Sequence, residues 1–317
     1  MILKLYKSNI SIGMILIPVV ALVISLQVLF NSQVPDFYSV NWQSYVFDSI
    51  YRIKVLDFFL TLLILIINSI LIAQSFNQTI LFSKTTYLPA ILYLILISFL
   101  PTLHFSAILI IHFLFIFLYN QVIKINSNDS AINVSFKSGL LIGLISCFEL
   151  YYSIFILLLF LSIFSVRSIN LREIFASVVG LLIPLVYLFS LQYIFGNIEF
   201  INPSVKNVPD IQIQLVDYVK FSILIVILII GLTNTIAFNK HNSILSKKQI
   251  YVYMVGAFIC VLMLFSVYIM FGYLDFSVII PLVYVLSVGS LSIKNDSLIS
   301  LLLTIALIIN IVSIFFR

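Results

Sequence analysis

The stretch ISIGMILIPVVALVISLQVLF, residues 10–30, contains no charged residue. A helix that crosses a bilayer needs about 20 consecutive residues that are predominantly apolar. Lys4 and Lys7 precede the stretch, as basic residues precede the apolar part of a secretory signal. The stretch is longer than the roughly 7–15 residues of that apolar part, and no Ala-x-Ala cleavage pattern follows it. The sequence therefore predicts a first transmembrane helix that is retained.

Apolar stretches of this kind recur along the whole chain. Hydrophobic residues make up 63% of the 317 residues and charged residues 9%, and the mean hydropathy is +1.25. A soluble domain is about half apolar and about a quarter charged, so these values exclude a soluble protein. We predict an all-α, polytopic transmembrane helical bundle, one domain over residues 1–317, with about 11 spans near residues 10–30, 57–75, 87–101, 103–121, 138–149, 151–166, 174–195, 218–238, 250–271, 276–292 and 297–315.

The distribution of positive charge predicts the orientation. With eleven spans, eleven of the sixteen Lys and Arg residues fall on the side of the N-terminus. Cytoplasmic loops carry such an excess, so we expect a cytoplasmic N-terminus and an external C-terminus. The basic face suits anionic lipid head groups rather than nucleic acid. The balance requires that segments 138–149 and 151–166 form a hairpin, because otherwise Arg167 and Arg172 would lie outside.

The longest polar stretch before residue 120 follows the first span. From Asn41 onward its apolar residues recur at helical spacing, and the chain's single tryptophan is among them. The pattern predicts an amphipathic helix in the membrane interface over about 37–54, with Trp42 and Arg52 at head-group depth.

Two acids of this stretch have two interpretations each. Asp36 is either the N-cap of the interfacial helix or a general base or divalent-cation ligand facing an outer-leaflet cavity. Asp48 precedes Arg52 by four residues, so it forms either a surface ion pair or part of the same site. A second polar loop, about 197–217, is either a connector or a lid over that cavity.

Three further residues are candidates for the site. Glu149 is predicted at the outer turn of the hairpin, where it is either solvated or functional. His104 is predicted at the outer end of a short span, near lipid head groups, and Arg172 is a candidate ligand of lipid phosphate. His112 lies in mid-span, where a histidine serves either as a hydrogen bond between helices or as a proton relay. Three histidines in all exclude an iron oxygenase that needs four histidine ligands.

The stretch DFYSVNWQSYV, residues 36–46, resembles the first external loop of polyprenyl-phosphate-sugar-dependent glycosyltransferases of the multi-spanning GT-C type. Those enzymes hold an acid in that loop and interfacial helices after it, and place another acid in a second external loop. The resemblance implies that Asp36 is the catalytic base or metal ligand, with Glu149 and Asp48 in support. The chain departs from the family at Asn41, where a second acid is expected.

A second resemblance covers about residues 70–190. Asn77 and Lys84 precede Tyr87-Leu88-Pro89, and Phe136, Gly139, Arg172-Glu173, Gly180 and Pro184 follow. These residues are similar to those of an uncharacterised family of integral membrane proteins from flavobacteria-like bacteria. This resemblance implies a location in the bacterial inner membrane but no particular reaction.

Three functions follow as hypotheses. The first is a GT-C-like glycosyltransferase, or its degenerate relative, acting on a polyprenyl-linked sugar at the outer leaflet, with a divalent cation as the candidate cofactor. The second is a non-enzymatic subunit of a secretion, motility or polymer-export assembly, with other membrane proteins as partners. The third is a transporter or flippase. Membrane lipids are partners in all three.

Overall fold

The computed structural model describes residues 10–30, 47, 50–79, 81–82, 85–98, 103–125, 131–166, 170–195, 215–240, 243–271, 279–292 and 304–305. Every regular element in this part of the chain is helical. This follows from the composition, because a backbone surrounded by apolar side chains and lipid has to satisfy its own N–H and C=O groups.

Ten α-helices and one 3₁₀ helix form the described part of the bundle. They are α1 (Ile10–Phe30), α2 (Lys54–Asn77), α3 (Leu88–Ile97), α4 (Ala107–Ile123), α5 (Ile132–Ser146), the 3₁₀ helix (Leu150–Phe155), α6 (Ile156–Val166), α7 (Leu171–Phe195), α8 (Leu215–Lys240), α9 (Ile244–Phe271) and α10 (Ile279–Ser292).

The structure confirms a helical bundle with apolar helices that fit a membrane protein. Among the described residues, three helices are long and apolar enough to cross a membrane, and they lie in α2, α7 and α9. Shorter apolar helical segments of 10–17 residues lie in the other helices, such as Gly13–Leu29 in α1 and Val226–Lys240 in α8. The count of eleven spans and the orientation stay predictions. Of the last predicted span, 297–315, only residues 304–305 are described, and both are helical.

Helices α2, α3 and α4 are joined in an up–down–up arrangement. Asn77, the last residue of α2, accepts a hydrogen bond from the backbone N–H of Thr86 through Oδ1 (2.9 Å) and donates to the Thr86 carbonyl through Nδ2 (3.1 Å). Pro89 follows within the first turn of α3, where its missing N–H removes no helical hydrogen bond. α3 therefore runs back along α2, and α4 then runs parallel to α2.

The predicted hairpin is present, with different bounds. α5 begins at Ile132, earlier than the predicted 138, and ends at Ser146 before the turn that contains Glu149. Ser135 and Lys137 interrupt the apolar run, so the sequence pattern does not indicate that the helix begins before residue 138. Glu173 stabilises it, because its buried carboxylate accepts the backbone N–H of Ala131, the N-cap residue of α5 (3.0 Å).

α5 and α7 pack parallel to one another at unusually close range. A Cβ on Gly139 would overlap the Ser177 carbonyl, and a Cβ on Gly180 would overlap the Phe136 carbonyl. One turn further along, Pro184 of α7 lies against Gly143. Helices in membranes associate through such small residues, which let the backbones approach.

Candidate functional site

A buried carboxylate and a buried imidazole meet at the beginning of α2. Nδ1 of His104 lies 2.7 Å from Oδ2 of Asp57, and the two side chains are 5% and 2% exposed. The other carboxylate oxygen, Oδ1, accepts the backbone N–H of Phe105 (2.7 Å) and the hydroxyl of Thr61 (3.3 Å). Both oxygens of Asp57 therefore have defined donors, and the carboxylate fixes the position of the imidazole. We call this group the Asp57–His104 pair.

The local sequence explains the position of Asp57. The residue lies in the first turn of α2, where the N–H groups of a helix have no intrahelical partners and the helix dipole favours an acid. Ile53, at the N-cap, makes no side-chain capping bond. Thr61 is one turn further along the same face, so its hydroxyl faces the carboxylate.

Aromatic rings surround the pair. The ring of Tyr51 lies edge-on to the imidazole of His104, with centroids 5.4 Å apart. Phe47 packs against Phe105 (6.0 Å) and against Tyr51 (6.4 Å). Phe47 and Tyr51 belong to the predicted interfacial helix, and both are helical and buried. Tyr51 therefore covers the imidazole of His104, and Phe47 packs beside it.

A second polar group lies eleven residues further along α2. Nδ2 of Asn68 donates to the hydroxyl oxygen of Tyr93 (3.2 Å) and to the carbonyl of Leu109 (3.0 Å). The hydroxyl of Tyr93 lies 3.2 Å from Nδ1 of His112. All three side chains are fully buried. This middle group joins α2, α3 and α4.

A third polar group lies near the end of α2. The hydroxyl of Tyr284 donates to Oγ of Ser75 (2.8 Å), which donates to Oδ1 of Asn120 (2.6 Å). Tyr253 stacks on Tyr284 with centroids 4.7 Å apart, and Tyr119 lies 5.3 Å from Tyr284. The hydroxyls of Tyr119 and Tyr253 are buried and have no hydrogen-bond partner among the described residues.

The three groups share one face of α2. Asp57, Thr61, Asn68 and Ser75 follow a spacing of four, seven and seven residues, which keeps them within about 40° of one another around a 3.6-residue helix. We call these four residues the polar seam. Phe59 and Leu63 lie on the other side of α2 and are exposed. From Asp57 to Ser75 the seam rises about 27 Å, close to the roughly 30 Å hydrocarbon thickness of a bilayer.

The predicted site residues are only partly within the described chain. Asp36, Trp42 and Asp48 lie outside it, as does the loop 197–217 except for the start of α8. Arg52 and Arg172 are exposed, and Glu149 is half-buried in the turn before the 3₁₀ helix. His104, predicted near lipid head groups, is buried on Asp57.

Sequence reasoning missed the polar seam. The spacing of four, seven and seven residues was the available signal, because it places polar side chains on one face of a helix that is otherwise apolar. The partners on α3, α4 and α10 have no signal of their own, since they depend on how the helices pack.

The described residues contain no group of three His, Cys, Asp or Glu side chains that could hold a metal ion. The donors of the Asp57–His104 pair are one carboxylate and one imidazole, too few to bind a cation by themselves. A divalent cation would require a further ligand, and Asp36 is the predicted candidate.

No family model, no curated protein and no solved structure matches this chain. The two resemblances drawn from the sequence therefore stay predictions, and the function has to be argued from the geometry.

Proposed function

We propose that the chain is a multi-pass inner-membrane enzyme that transfers a sugar from a polyprenyl-phosphate-linked donor at the outer leaflet. The observation that carries the proposal is the Asp57–His104 pair, a buried carboxylate hydrogen-bonded to a buried imidazole at the beginning of α2. Ionisable residues inside a membrane bundle are expensive and generally serve a function.

The geometry of the pair supports proton transfer. Nδ1 of His104 is committed to Asp57, so any proton exchanged with a substrate passes through Nε2. A carboxylate that holds an imidazole in this way fixes its tautomer and orientation, as the acid does in hydrolytic triads. His104 is the candidate for proton exchange with the acceptor hydroxyl or for a hydrogen bond to the donor phosphate, and Asp57 is a positioning residue.

The proposal assigns supporting roles to the acids predicted from the sequence. Asp36 acts as base or as ligand of a divalent cation, and Asp48 and Glu149 support the site. The direction of the helices favours Glu149, because α5 begins beside Glu173 at the opposite end of the bundle and runs toward the end where the pair lies. Trp42 and Arg52 would hold the head group of the lipid substrate at the interface, and Arg172 would bind lipid phosphate at the opposite face.

A deletion strain tests the proposal. Lipid-linked sugars and envelope glycans are profiled in the strain after complementation with the wild type, Asp36→Asn, His104→Phe and the control Thr233→Val. Thr233 is exposed on α8 and bonds only carbonyls of its own helix in the described chain, so its replacement should be silent.

If the chain is the proposed enzyme, the wild type and Thr233→Val restore the profile. Asp36→Asn and His104→Phe do not restore it, although all four proteins are present at equal levels. If Asp36→Asn and His104→Phe restore the profile fully, the enzymatic proposal fails. Fixed partners recovered in mild detergent would then support the subunit hypothesis.

A further inference from the structure

The Asp57–His104 pair is closed to a reactant in this structure. His104 is 5% exposed and Asp57 is 2% exposed, and a group that exchanges a proton with Nε2 of His104 has to come within hydrogen-bond distance of that atom. A site that is covered in this way reacts only after a part of the protein has moved. One of the groups around the pair therefore has to give way.

The pair itself is held firmly between two helices. Nδ1 of His104 lies 2.7 Å from Oδ2 of Asp57, and the backbone N–H of Phe105 donates to Oδ1 of the same carboxylate over 2.7 Å. Hydrogen bonds to a carboxylate are among the strong ones in proteins. They join the first turn of α2 to the segment before α4, so these two parts stay together when the site opens.

The contact between Tyr51 and the pair is of a weaker kind. The ring of Tyr51 lies edge-on to the imidazole of His104, with centroids 5.4 Å apart and an angle of 64° between the ring planes. Such a contact between rings stabilises less than a hydrogen bond to a charged group does. Tyrosine is also stable at the membrane interface, where lipid covers a displaced ring. Displacement of Tyr51 therefore uncovers the imidazole and leaves the pair intact.

The helix is interrupted between Tyr51 and α2. Ile53 has φ −109° and ψ 84°, which are not helical values, and its side chain makes no capping bond. Its N–H donates to the carbonyl of Ile50 (3.0 Å), and its carbonyl accepts the N–H of Asp57 (3.0 Å), so one helical segment ends and α2 begins at this residue. Residues at the ends of helices commonly serve as hinges, because they absorb a change in φ and ψ.

The interruption lies on the surface of the described chain. All five residues from 52 to 56 are exposed, whereas Tyr51 on one side and Asp57 on the other are buried. Phe47 stacks on Tyr51 with centroids 6.4 Å apart, so the two rings form one unit on the far side of the interruption from Asp57. A rotation at Ile53 moves this unit without a change in the packing of α2.

We propose that Tyr51 is the gate of the Asp57–His104 pair. Rotation at Ile53 carries Tyr51 and Phe47 away from the imidazole, and a polar head group then reaches Nε2 of His104 from the membrane interface. Return of the ring excludes water from the pair. The identity of the head group rests on the proposed function, whereas the opening of the gate is measured without any turnover.

Chemical modification of His104 measures the opening. Diethyl pyrocarbonate adds a carbethoxy group to an accessible imidazole nitrogen, and mass spectrometry of the peptides locates this group. We expect His104 to react at least about tenfold faster in Tyr51→Ala than in the wild type, because a minor open state is populated at no more than about 10%. Tyr51→Phe retains the ring and should react at the wild-type rate. His112 is fully buried, so it should stay unmodified as long as each protein is folded.

A cross-link provides a second measurement that keeps the ring of Tyr51. The rings of Phe47 and Phe105 lie 6.0 Å apart, the first on the moving unit and the second beside the pair. Phe47→Cys and Phe105→Cys are combined, with Cys147→Ala and Cys260→Ala, and the new thiols are joined by a short bifunctional methanethiosulfonate. Because the open state is then lost, we expect modification of His104 to slow at least about tenfold, and a reducing agent to restore the rate.

Either of two results would overturn the inference. If His104 in Tyr51→Ala reacts at the wild-type rate, the ring of Tyr51 is not the barrier. If the cross-linked protein reacts as fast as the same protein after reduction, the reagent reaches His104 by another route. Both measurements are independent of the glycan profile, so a gate that passes them while Asp36→Asn and His104→Phe restore the profile would refute only the proposed transfer.

Discussion

His104 and Asp57 are 47 residues apart in the chain, and Nδ1 of the first lies 2.7 Å from Oδ2 of the second. The contact ties the segment before α4 to the first turn of α2. Because both side chains are buried, the contact contributes to stability as well as to any chemistry.

Replacement of Asp57 by Leu should lower the free energy of unfolding by about 3–5 kcal/mol, since it leaves a buried imidazole and the Phe105 N–H without their acceptor. SDS-titrated unfolding in mixed micelles measures the change. Thr61→Val removes one neutral hydrogen bond to the same carboxylate and should cost about 1 kcal/mol. A loss for Asp57→Leu no larger than about 1 kcal/mol would show that the Asp57–His104 pair does not stabilise the fold.

Asn68 and Tyr93 should be energetically coupled. A double-mutant cycle of Asn68→Leu and Tyr93→Phe isolates their hydrogen bond, and we expect a coupling of about 0.5–2 kcal/mol, as for other hydrogen bonds between membrane helices. The matched control is Tyr251→Phe on α9, whose side chain is 41% exposed. If the coupling energy between Asn68 and Tyr93 is no larger than that between Asn68 and Tyr251, the hydrogen bond from Asn68 to Tyr93 does not stabilise the fold.

The contact between α5 and α7 should not accept a side chain at Gly139. Gly139→Val would drive a branched side chain into the backbone carbonyl of Ser177, so we expect a loss of at least about 2 kcal/mol in unfolding free energy. Val179→Leu, on the exposed face of α7, should change it by less than about 0.5 kcal/mol. A stable Gly139→Val protein would mean that the two helices can separate at this point.

The termini should lie in opposite compartments. A fluorescent protein that folds only in the cytoplasm should be bright when fused before Met1, and alkaline phosphatase should be active when fused after Arg317. A fusion after Lys240, in a loop predicted on the cytoplasmic side, serves as the internal control. Both ends in one compartment would exclude an odd number of spans.

Much of the fold was predictable because lipid imposes a simple rule on the sequence. The runs 10–30 and 151–166 coincide with helical segments of the structure, since an apolar run without charge has no other stable backbone state in a bilayer. Helix ends that depend on polar contacts were harder. The beginning of α5 depends on the hydrogen bond that Glu173 accepts from Ala131. In the sequence, Glu173 indicates only the beginning of α7, because it lies in the first turn of that helix.

The resemblance to the membrane protein family was carried largely by packing residues. Gly139 and Gly180 bring α5 and α7 together, and Asn77 closes the turn to α3. Such residues report a shared fold better than a shared reaction. The candidate site was harder to predict, because His104 and Asp57 meet only after three helices have packed, and neither stands in a local motif.

The transfer of sugar from a polyprenyl-phosphate-linked donor is the most direct test of the proposed function. Purified protein is incubated with a radiolabelled donor of this class and with membranes from the deletion strain as the source of acceptor. The wild type should release polyprenyl phosphate and move the label into a new product, and Asp36→Asn and His104→Phe should leave the donor intact. Equal turnover by the wild type and both variants, or no turnover by any of them with every donor sugar tried, would contradict the proposal.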